Sequence, residues 1–354
     1  MTGTGDDPGG TARGGPQPRY GGRPTMKDVA ARAGVGLKTV SRVVNGEPGV
    51  TQDTERRVRD AIAALGFRRN DSARILRKGR TASVGLVLED LADPFYAPLN
   101  RAVEEVARAH GALLINGSSA EDADRERELA LAFCARRVDG LIVIPAGDDH
   151  RYLEPEMAAG IATVFADRPA GRISADAVLS DSFGGAREGV AHLIAHGHRR
   201  IGFLGDRPRI HTAAERLRGY RAAMAGAGLP VDERWVSLGP TGPERVRAEA
   251  ERLLTGPEPV TALFTGNNRV TVTAVRVIAG LPRPVALVGF DDLELADLLS
   301  PGITVIAQDP ARLGRTAAEL LFRRLEGAGD APRRVELPTR LIPRGSGELP
   351  PVTG

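Results

Sequence analysis

Apolar residues near the start of the chain come in three short bursts at helical spacing: Val29, Ala30 and Ala33, then Val40, Val43 and Val44, then Val58, Ile62 and Leu65. Gly34 and Gly36 part the first two bursts over a distance that suits only a tight turn. Two short helices joined this way predict a helix-turn-helix, whose second helix can enter a DNA major groove. A third helix has its own start signal in Thr51 at the N-cap, with Thr54 and Glu55 in the first turn. From Val84 onward the pattern changes to short, continuous, β-branched runs, which predict buried parallel strands at 84–88, 112–117, 140–145, 163–167 and 177–181. A second series follows at 201–205, 235–239, 262–266, 285–290 and 303–308, with helical segments at 97–110, 125–136, 183–196, 213–227, 243–255, 268–279 and 310–326. Two similar βα series predict an α/β core of two doubly wound parallel-sheet subdomains behind an all-α headpiece. The chain is expected to cross between subdomains near 181–183, near 308 and near 338–342.

Charge sharpens the division. Residues 26–80 hold thirteen Lys/Arg against six Asp/Glu, net +7, whereas the whole chain is only +3. With +1 on the first 25 residues, −5 falls on 81–354. A basic head on a mildly acidic body is the footprint of one module that neutralises phosphates. Residues 1–23 are Gly, Pro, Arg, Asp and Thr with almost no apolar side chains, which predicts a disordered tail. The remaining boundaries are a headpiece at 24–69, a linker at 70–80, a core at 81–345 and a tail at 346–354. The lone cysteine, Cys134, sits in an apolar helical context and rules out an intrachain disulfide framework. No apolar run approaches the roughly 20 residues of a membrane helix, and the N-terminus has no apolar leader, so a cytoplasmic protein without a membrane partner is expected.

The residues Thr25-Met26-Lys27-Asp28-Val29-Ala30, Ala33-Gly34-Val35 and Thr39-Val40-Ser41-Arg42-Val43-Val44-Asn45 resemble the headpiece of the LacI/GalR transcription regulators. The likeness continues through Asn70, Ala73, Leu76 and the strand at Val84, and covers roughly residues 24 to 345. It implies that Leu37 and Lys38 read bases, with Arg42 one turn on. Lys can donate to guanine and Leu can touch a thymine methyl. Thr39, Ser41 and Asn45 suit phosphate or capping contacts. Residues 70–79 resemble the family's hinge helix, too short to stand alone in water, and Leu76 matches the leucine that wedges into the minor groove. The partners implied are a palindromic double-stranded operator, a second copy of the chain and a small-molecule effector.

Effector candidates lie at strand ends, where ligands of such sheets bind. By resemblance Tyr96, Asp167, Arg216, Asn267 and Asp291 match the family's effector-contacting positions, in a core like that of periplasmic sugar-binding proteins. Carboxylates, an amide, an arginine and an aromatic suit a sugar or another polyol. Asp93 and Asp292 read equally as helix caps, and Phe95 as core. Two departures leave the ligand's identity open: Asn267-Asn268 where the family often has Asn-Asp, and no aromatic in the GPTGP loop at 239–243.

An enzyme is the first rival. No nucleophile elbow, Walker loop, metal-spaced His/Cys set or GxGxxG after a strand occurs, so neither catalysis, cofactor nor metal is expected. His192, His196 and His198 cluster at a helix end, which suits charge complementarity there. The others are a sugar-binding protein without a DNA role, secreted or cytoplasmic, and an activator. The reading adopted is a dimeric, effector-controlled repressor; inducer and corepressor control both remain open. The segment after residue 327 is strand- and loop-like without leucine heptads, which argues against a coiled-coil tetramer.

Overall fold

The structure is a computed structural model that describes residues 24–68 and 81–352. The chain divides into two units, Met1–Lys78 and Gly79–Gly354. Leu76 and the rest of the expected hinge helix lie outside the described residues, as does the expected N-terminal tail.

The first unit packs three helices, α1 (Met26–Ala33), α2 (Leu37–Asn45) and α3 (Gln52–Leu65). A capping box starts α1: Thr25 N–H donates to Asp28 Oδ2 at 2.7 Å, and Asp28 N–H returns a bond to Thr25 Oγ1 at 3.4 Å. Gly34 ends the helix at φ 63°, a left-handed conformation that a Cβ would strain. Thr51 caps α3 through Thr54 N–H, as its sequence predicts. Val29, Val40 and Val58, one from each helix, are fully buried with Ala61 and Phe67 beside them. At about 1.5–3 kcal/mol per buried valine, this apolar centre is what holds three such short helices together. Arg57 of α3 adds a tie, donating to Ala33 O at 2.6 Å and so fixing the turn before α2.

The second unit is built on two six-stranded sheets. The first holds β1 (Ser83–Leu88), β2 (Leu113–Ser118), β3 (Gly140–Val143), β4 (Ala162–Ala166), β5 (Asp176–Ser180) and β11 (Arg334–Leu337), in the order β11-β5-β4-β3-β1-β2, all parallel. The second holds β6 (Ile201–Gly205), β7 (Val236–Leu238), β8 (Ala262–Thr265), β9 (Ala286–Phe290), β10 (Thr304–Ala307) and β12 (Arg340–Ile342), in the order β12-β10-β9-β8-β6-β7. Only β12 runs antiparallel among the described strands of that sheet. The helices are α4 (Tyr96–Ala109), α5 (Ala123–Ala135), α6 (Glu154–Ala158), α7 (Ser182–Ala195), α8 (His211–Gly226), α9 (Pro243–Thr255), α10 (Asn268–Ile278) and α11 (Pro310–Leu325). The connections β5–α7, β10–α11 and β11–β12 carry the chain between the sheets, at the three places where the strand pattern puts crossings.

Strands β1, β3, β4, β8 and β9 are buried along nearly their whole length, which explains runs such as VALVGF without a polar face. Helices pack close where glycine permits it. A Cβ on Gly314 of α11 would lie 2.4 Å from Leu99 O of α4, and one on Gly219 of α8 would lie 2.4 Å from Phe183 O of α7. Residues 346–352, set apart as a tail in the sequence reading, belong to the second sheet's surroundings. Ser346 Oγ donates to Leu287 O at 2.6 Å, and Glu348 accepts from Thr304 Oγ1 at 2.9 Å. His192 meets Glu348, and His198 bridges Thr261 Oγ1 and Leu349 O, each at 2.8 Å. The histidines expected to serve a helix end therefore fasten the C-terminal segment as well.

Candidate functional site

Two surfaces carry chemistry. On the headpiece, α2 starts after Gly36, whose missing side chain leaves the first turn open. Leu37 and Lys38 stand exposed there, Leu37 at 47%. Thr39, Ser41, Arg42 and Asn45 are half-buried along the same helix. Asn45 Nδ2 donates to Ser41 Oγ at 3.2 Å and to Glu47 Oε1 at 3.3 Å, so these two polar groups hold each other one turn apart. An exposed leucine beside a lysine at a helix N-terminus has no packing purpose in the headpiece, and it matches what a major-groove edge offers.

The second surface is the cleft between the two sheets. The ends of β1, β4, β6, β7, β8, β9 and β10 contribute, as expected of such sheets. Glu89 and Asp93 follow β1, Tyr96 opens α4, and Asp167 and Arg168 follow β4. From the other side come Asp206 after β6, Arg216 on α8, Asn267 after β8, Asn268 and Arg269 at the start of α10, Asp291 after β9 and Gln308 after β10. All five predicted effector positions, Tyr96, Asp167, Arg216, Asn267 and Asp291, line this one cavity. Thr241 of the GPTGP loop lines it too, whereas Trp235 does not.

Asp167 and Asp291 hold φ of 65° and 71°, a strained conformation for a residue with a Cβ. Their backbone N–H groups bond Val178 O and Ile306 O, each at 2.9 Å, so each aspartate is turned by the neighbouring strand of its own sheet. Arg168 Nη1 donates to Pro145 O at 2.6 Å and Arg216 Nη1 to Gly266 O at 2.6 Å. The Arg216 guanidinium lies 3.8 Å from the centre of the Phe290 ring and 3.9 Å from Asp291 Oδ2. Asp291 also accepts from Gln308 Nε2 at 2.6 Å. Burial raises the Asp291 carboxyl above its ordinary value even though Arg216 and Gln308 pull it down. Tyr96, buried and pushed upward by desolvation, donates its hydroxyl to Glu89 Oε2 at 3.2 Å. Burial, and next the Glu121 carboxylate, push Glu89 up to about 8.

Asn267 spends its side-chain oxygen capping α10, where it accepts from Val270 N–H at 2.9 Å; its amide nitrogen is what it has to offer a ligand. The Asn268 departure acquires a role across the cleft, donating from Nδ2 to Asp93 Oδ1 at 2.8 Å. Arg269 pairs with Asp90 at 2.9 Å, and Arg209 donates to Ala146 O at 3.3 Å and Glu121 O at 3.2 Å. Asp93 combines both of its readings, since Oδ1 also accepts from Phe95 N–H at 2.9 Å. Asp292 instead pairs with Arg344 at 2.6 Å, away from the cavity lining. These bonds draw the two subdomains together and leave a cavity of about 50 Å³. Small-molecule pockets usually run to about 300–1,000 Å³, so a sugar-sized ligand must part the subdomains before it can enter.

Glu89, Asp206, Asn268 and Gln308 were not singled out as ligand positions from the sequence. Glu89, Asp206 and Gln308 sit at or just past the end of a predicted strand, and that placement is the signal that would have found them.

A headpiece with a basic recognition helix, joined in one chain to a two-sheet ligand cleft, defines a DNA-binding regulator under small-molecule control. Comparison with known proteins agrees. Residues 25–70 match the model for bacterial regulatory proteins of the lacI family, and residues 190–347 match the periplasmic binding protein-like domain. The chain is 34% identical over 336 residues to the HTH-type transcriptional regulator CelR of Thermobifida fusca, covering 92% of this chain and 98% of that protein. A solved CelR–cellobiose complex aligns at 33% identity with a TM-score of 0.68, covering 92% of this chain and all of that one (100%). The Lac repressor dimer bound to operator and the anti-inducer ONPF aligns at 25% identity with a TM-score of 0.79, covering 92% and 99%. This chain belongs to the LacI family of transcriptional regulators. No helix among the described residues is long and apolar enough to cross a membrane.

Proposed function

We propose that the protein is a repressor that binds a palindromic operator as a dimer and answers to a sugar-type effector in the cleft. The observation that carries this reading is the union of an open, leucine- and lysine-tipped α2 with a polar cleft that has to part to admit a ligand. In this reading Leu37 and Lys38 read base edges, while Thr39, Ser41, Arg42 and Asn45 fix the helix on the phosphates. Residues 24–69 form the DNA-binding headpiece and 70–80 the hinge, with Leu76 as its minor-groove wedge; 81–345 form the effector and dimerisation core. Tyr96, Asp167, Arg216, Asn267 and Asp291 contact the effector. A dimer is supported by Leu113, Leu295, Leu298 and Leu299, which are 68%, 61%, 74% and 43% exposed. It is supported also by the short reach of a single recognition helix. Effector occupancy shifts the balance between open and closed clefts and with it the pairing of hinge segments on DNA.

The test is to capture sheared genomic DNA on the purified protein and sequence what is retained. A short palindrome enriched over bulk DNA, lost or strengthened on adding a sugar, supports the reading. Retention without sequence preference overturns it.

A further inference from the structure

The cleft's charges are unequal. Glu89, Asp93, Asp167, Asp206 and Asp291 line it, against Arg168, Arg216 and Arg269. Each of these arginines already faces acid. Arg269 has Glu89, Asp90 and Asp93 within 3.8 Å, and Arg216 has Asp291 at 3.9 Å.

Arg168 is the most committed of the three. It is 6% exposed, with Nη2 3.3 Å from Glu89 Oε2 and Nη1 2.5 Å from Glu121 Oε1 while also bonded to Pro145 O. Recognition of a phosphate or carboxylate by arginine relies on a pair of parallel N–H donors from the guanidinium edge. Here both Nη atoms are taken, and every edge of the guanidinium includes at least one of them. Arg168 Nε has no hydrogen-bond partner, its neighbour Asp167 Oδ2 standing off at 3.6 Å. Gln308 supplies the complement, since its Oε1 is a buried acceptor without a partner while its Nε2 is fixed on Asp291. The orphan donors Arg168 Nε and Arg216 Nε and the orphan acceptor Gln308 Oε1, in a cavity rich in acidic side chains, suit hydroxyl groups, each of which both donates and accepts.

We propose that Glu89 and Glu121, by occupying the Arg168 fork, make this an uncharged-polyol site and exclude phosphorylated or carboxylated ligands. The inference rests on the sugar-effector reading and narrows it. A phosphoryl group entering the cleft would face more acidic side chains than arginines and would find Arg168 already held by the two glutamates. Replacing the two glutamates by glutamine keeps their shape and removes both titratable carboxyls from the edges of Arg168.

The experiment uses the full chain and measures thermal stabilisation and calorimetric affinity against pentoses, hexoses and disaccharides, each beside its phosphate ester. Inorganic phosphate serves as a bare probe at matched ionic strength. In the parent, a sugar that stabilises should lose about tenfold or more in affinity when phosphorylated, and inorganic phosphate should give no shift beyond chloride. In Glu89→Gln/Glu121→Gln the ester's deficit should shrink by about tenfold, and inorganic phosphate should now stabilise. The single variant Glu121→Gln, outside the cavity lining, gives the same comparison if the double variant folds poorly. An ester that binds the parent better than its sugar, or a parent response to inorganic phosphate, overturns the proposal. So does a folded double variant as indifferent to phosphate as the parent. If no sugar or ester binds the parent, the underlying sugar reading falls, and the variant's response to inorganic phosphate still decides whether the glutamates guard the fork.

Discussion

Asn268→Asp tests whether the bonds across the cleft hold it shut. The substitution is nearly isosteric, yet it replaces an amide that donates to Asp93 Oδ1 at 2.8 Å with a carboxylate at the same place. Both residues are buried, Asn268 to 6% and Asp93 to 7% exposure. Two unit charges about 4 Å apart at an effective dielectric near 20 repel by about 4 kcal/mol. The hydrogen bond lost to a charged acceptor adds about 1.5–3 kcal/mol. Arg269, whose Nε lies 3.7 Å from Asp93, offsets part of this. A net cost of about 2–3 kcal/mol remains, which shifts the closed-to-open ratio by roughly 30- to 150-fold. The shift can be read with spin labels placed on exposed positions of the two subdomains, Glu104→Cys and Arg247→Cys, since Cys134 is buried. The ligand-free Asn268→Asp chain should show a longer inter-label distance at neutral pH. The short distance should return when one carboxyl is protonated in acid, because a shared proton restores the bond. A neutral-pH distance distribution identical to the parent's would refute the idea that these contacts keep the cleft closed.

Lys38→Ala should weaken cognate operator binding by about 1–3 kcal/mol and relax preference at one base position, with non-specific binding little changed; competition against single-base operator variants checks it. Gly314→Ala should lower the melting temperature with an unfolding cost of about 1–3 kcal/mol, since its Cβ would lie 2.4 Å from Leu99 O and α11 would have to back away from α4. The Glu89 carboxyl titrates at about 8 in the folded chain against an ordinary 4.5. The folded state therefore keeps a proton that the unfolded state gives up, and the stability it contributes is present below 4.5 and lost as pH rises through about 8. Melting temperatures of Glu89→Gln should accordingly fall less than the parent's between pH 5 and 8, a window set by about those two values; parallel curves would remove Glu89 from that slope.

The two sheets were legible because their strands are buried on both faces, so that runs such as IGFLG and VALVGF carry no solvent-facing positions to dilute the signal. The edge strands β11 and β12 were not placed. Both are short, and along Arg334–Leu337 and Arg340–Ile342 only Leu337 is fully buried, so their pairing is set by the sheets they join and leaves little local pattern. The five effector candidates came from strand ends and from resemblance, and they share one cavity. Asn268 was visible only as a departure, and Gln308 only as a strand end. The partners that give these two their roles, Asp93 and Asp291, lie 175 and 17 positions away, and no spacing along the chain reveals those pairs.

The repetition within the core explains why such a cleft can report on its ligand. Strands β4 and β9 occupy corresponding places in the two sheets, and each ends in an aspartate held at positive φ by the next strand. Strands β3 and β8 also correspond, and each is followed by a carbonyl that receives an arginine Nη1 at 2.6 Å, Pro145 from Arg168 and Gly266 from Arg216. The arginines come from different elements, a loop and a helix, yet each subdomain ends with one strained aspartate and one buried arginine. Each of these arginines leaves Nε unpaired. A ligand held by both half-sites gains its second set of bonds only when the cleft closes over it, so its differential affinity for the closed form follows from the doubling itself. The bonds of Asn268 and Arg269 close the same cleft without a ligand, and the balance between the two sets fixes how far an effector can move the equilibrium. Weakening the direct bonds while sparing both half-sites should therefore increase the ligand-driven change in inter-label distance, and Asn268→Asp makes that separation experimentally accessible.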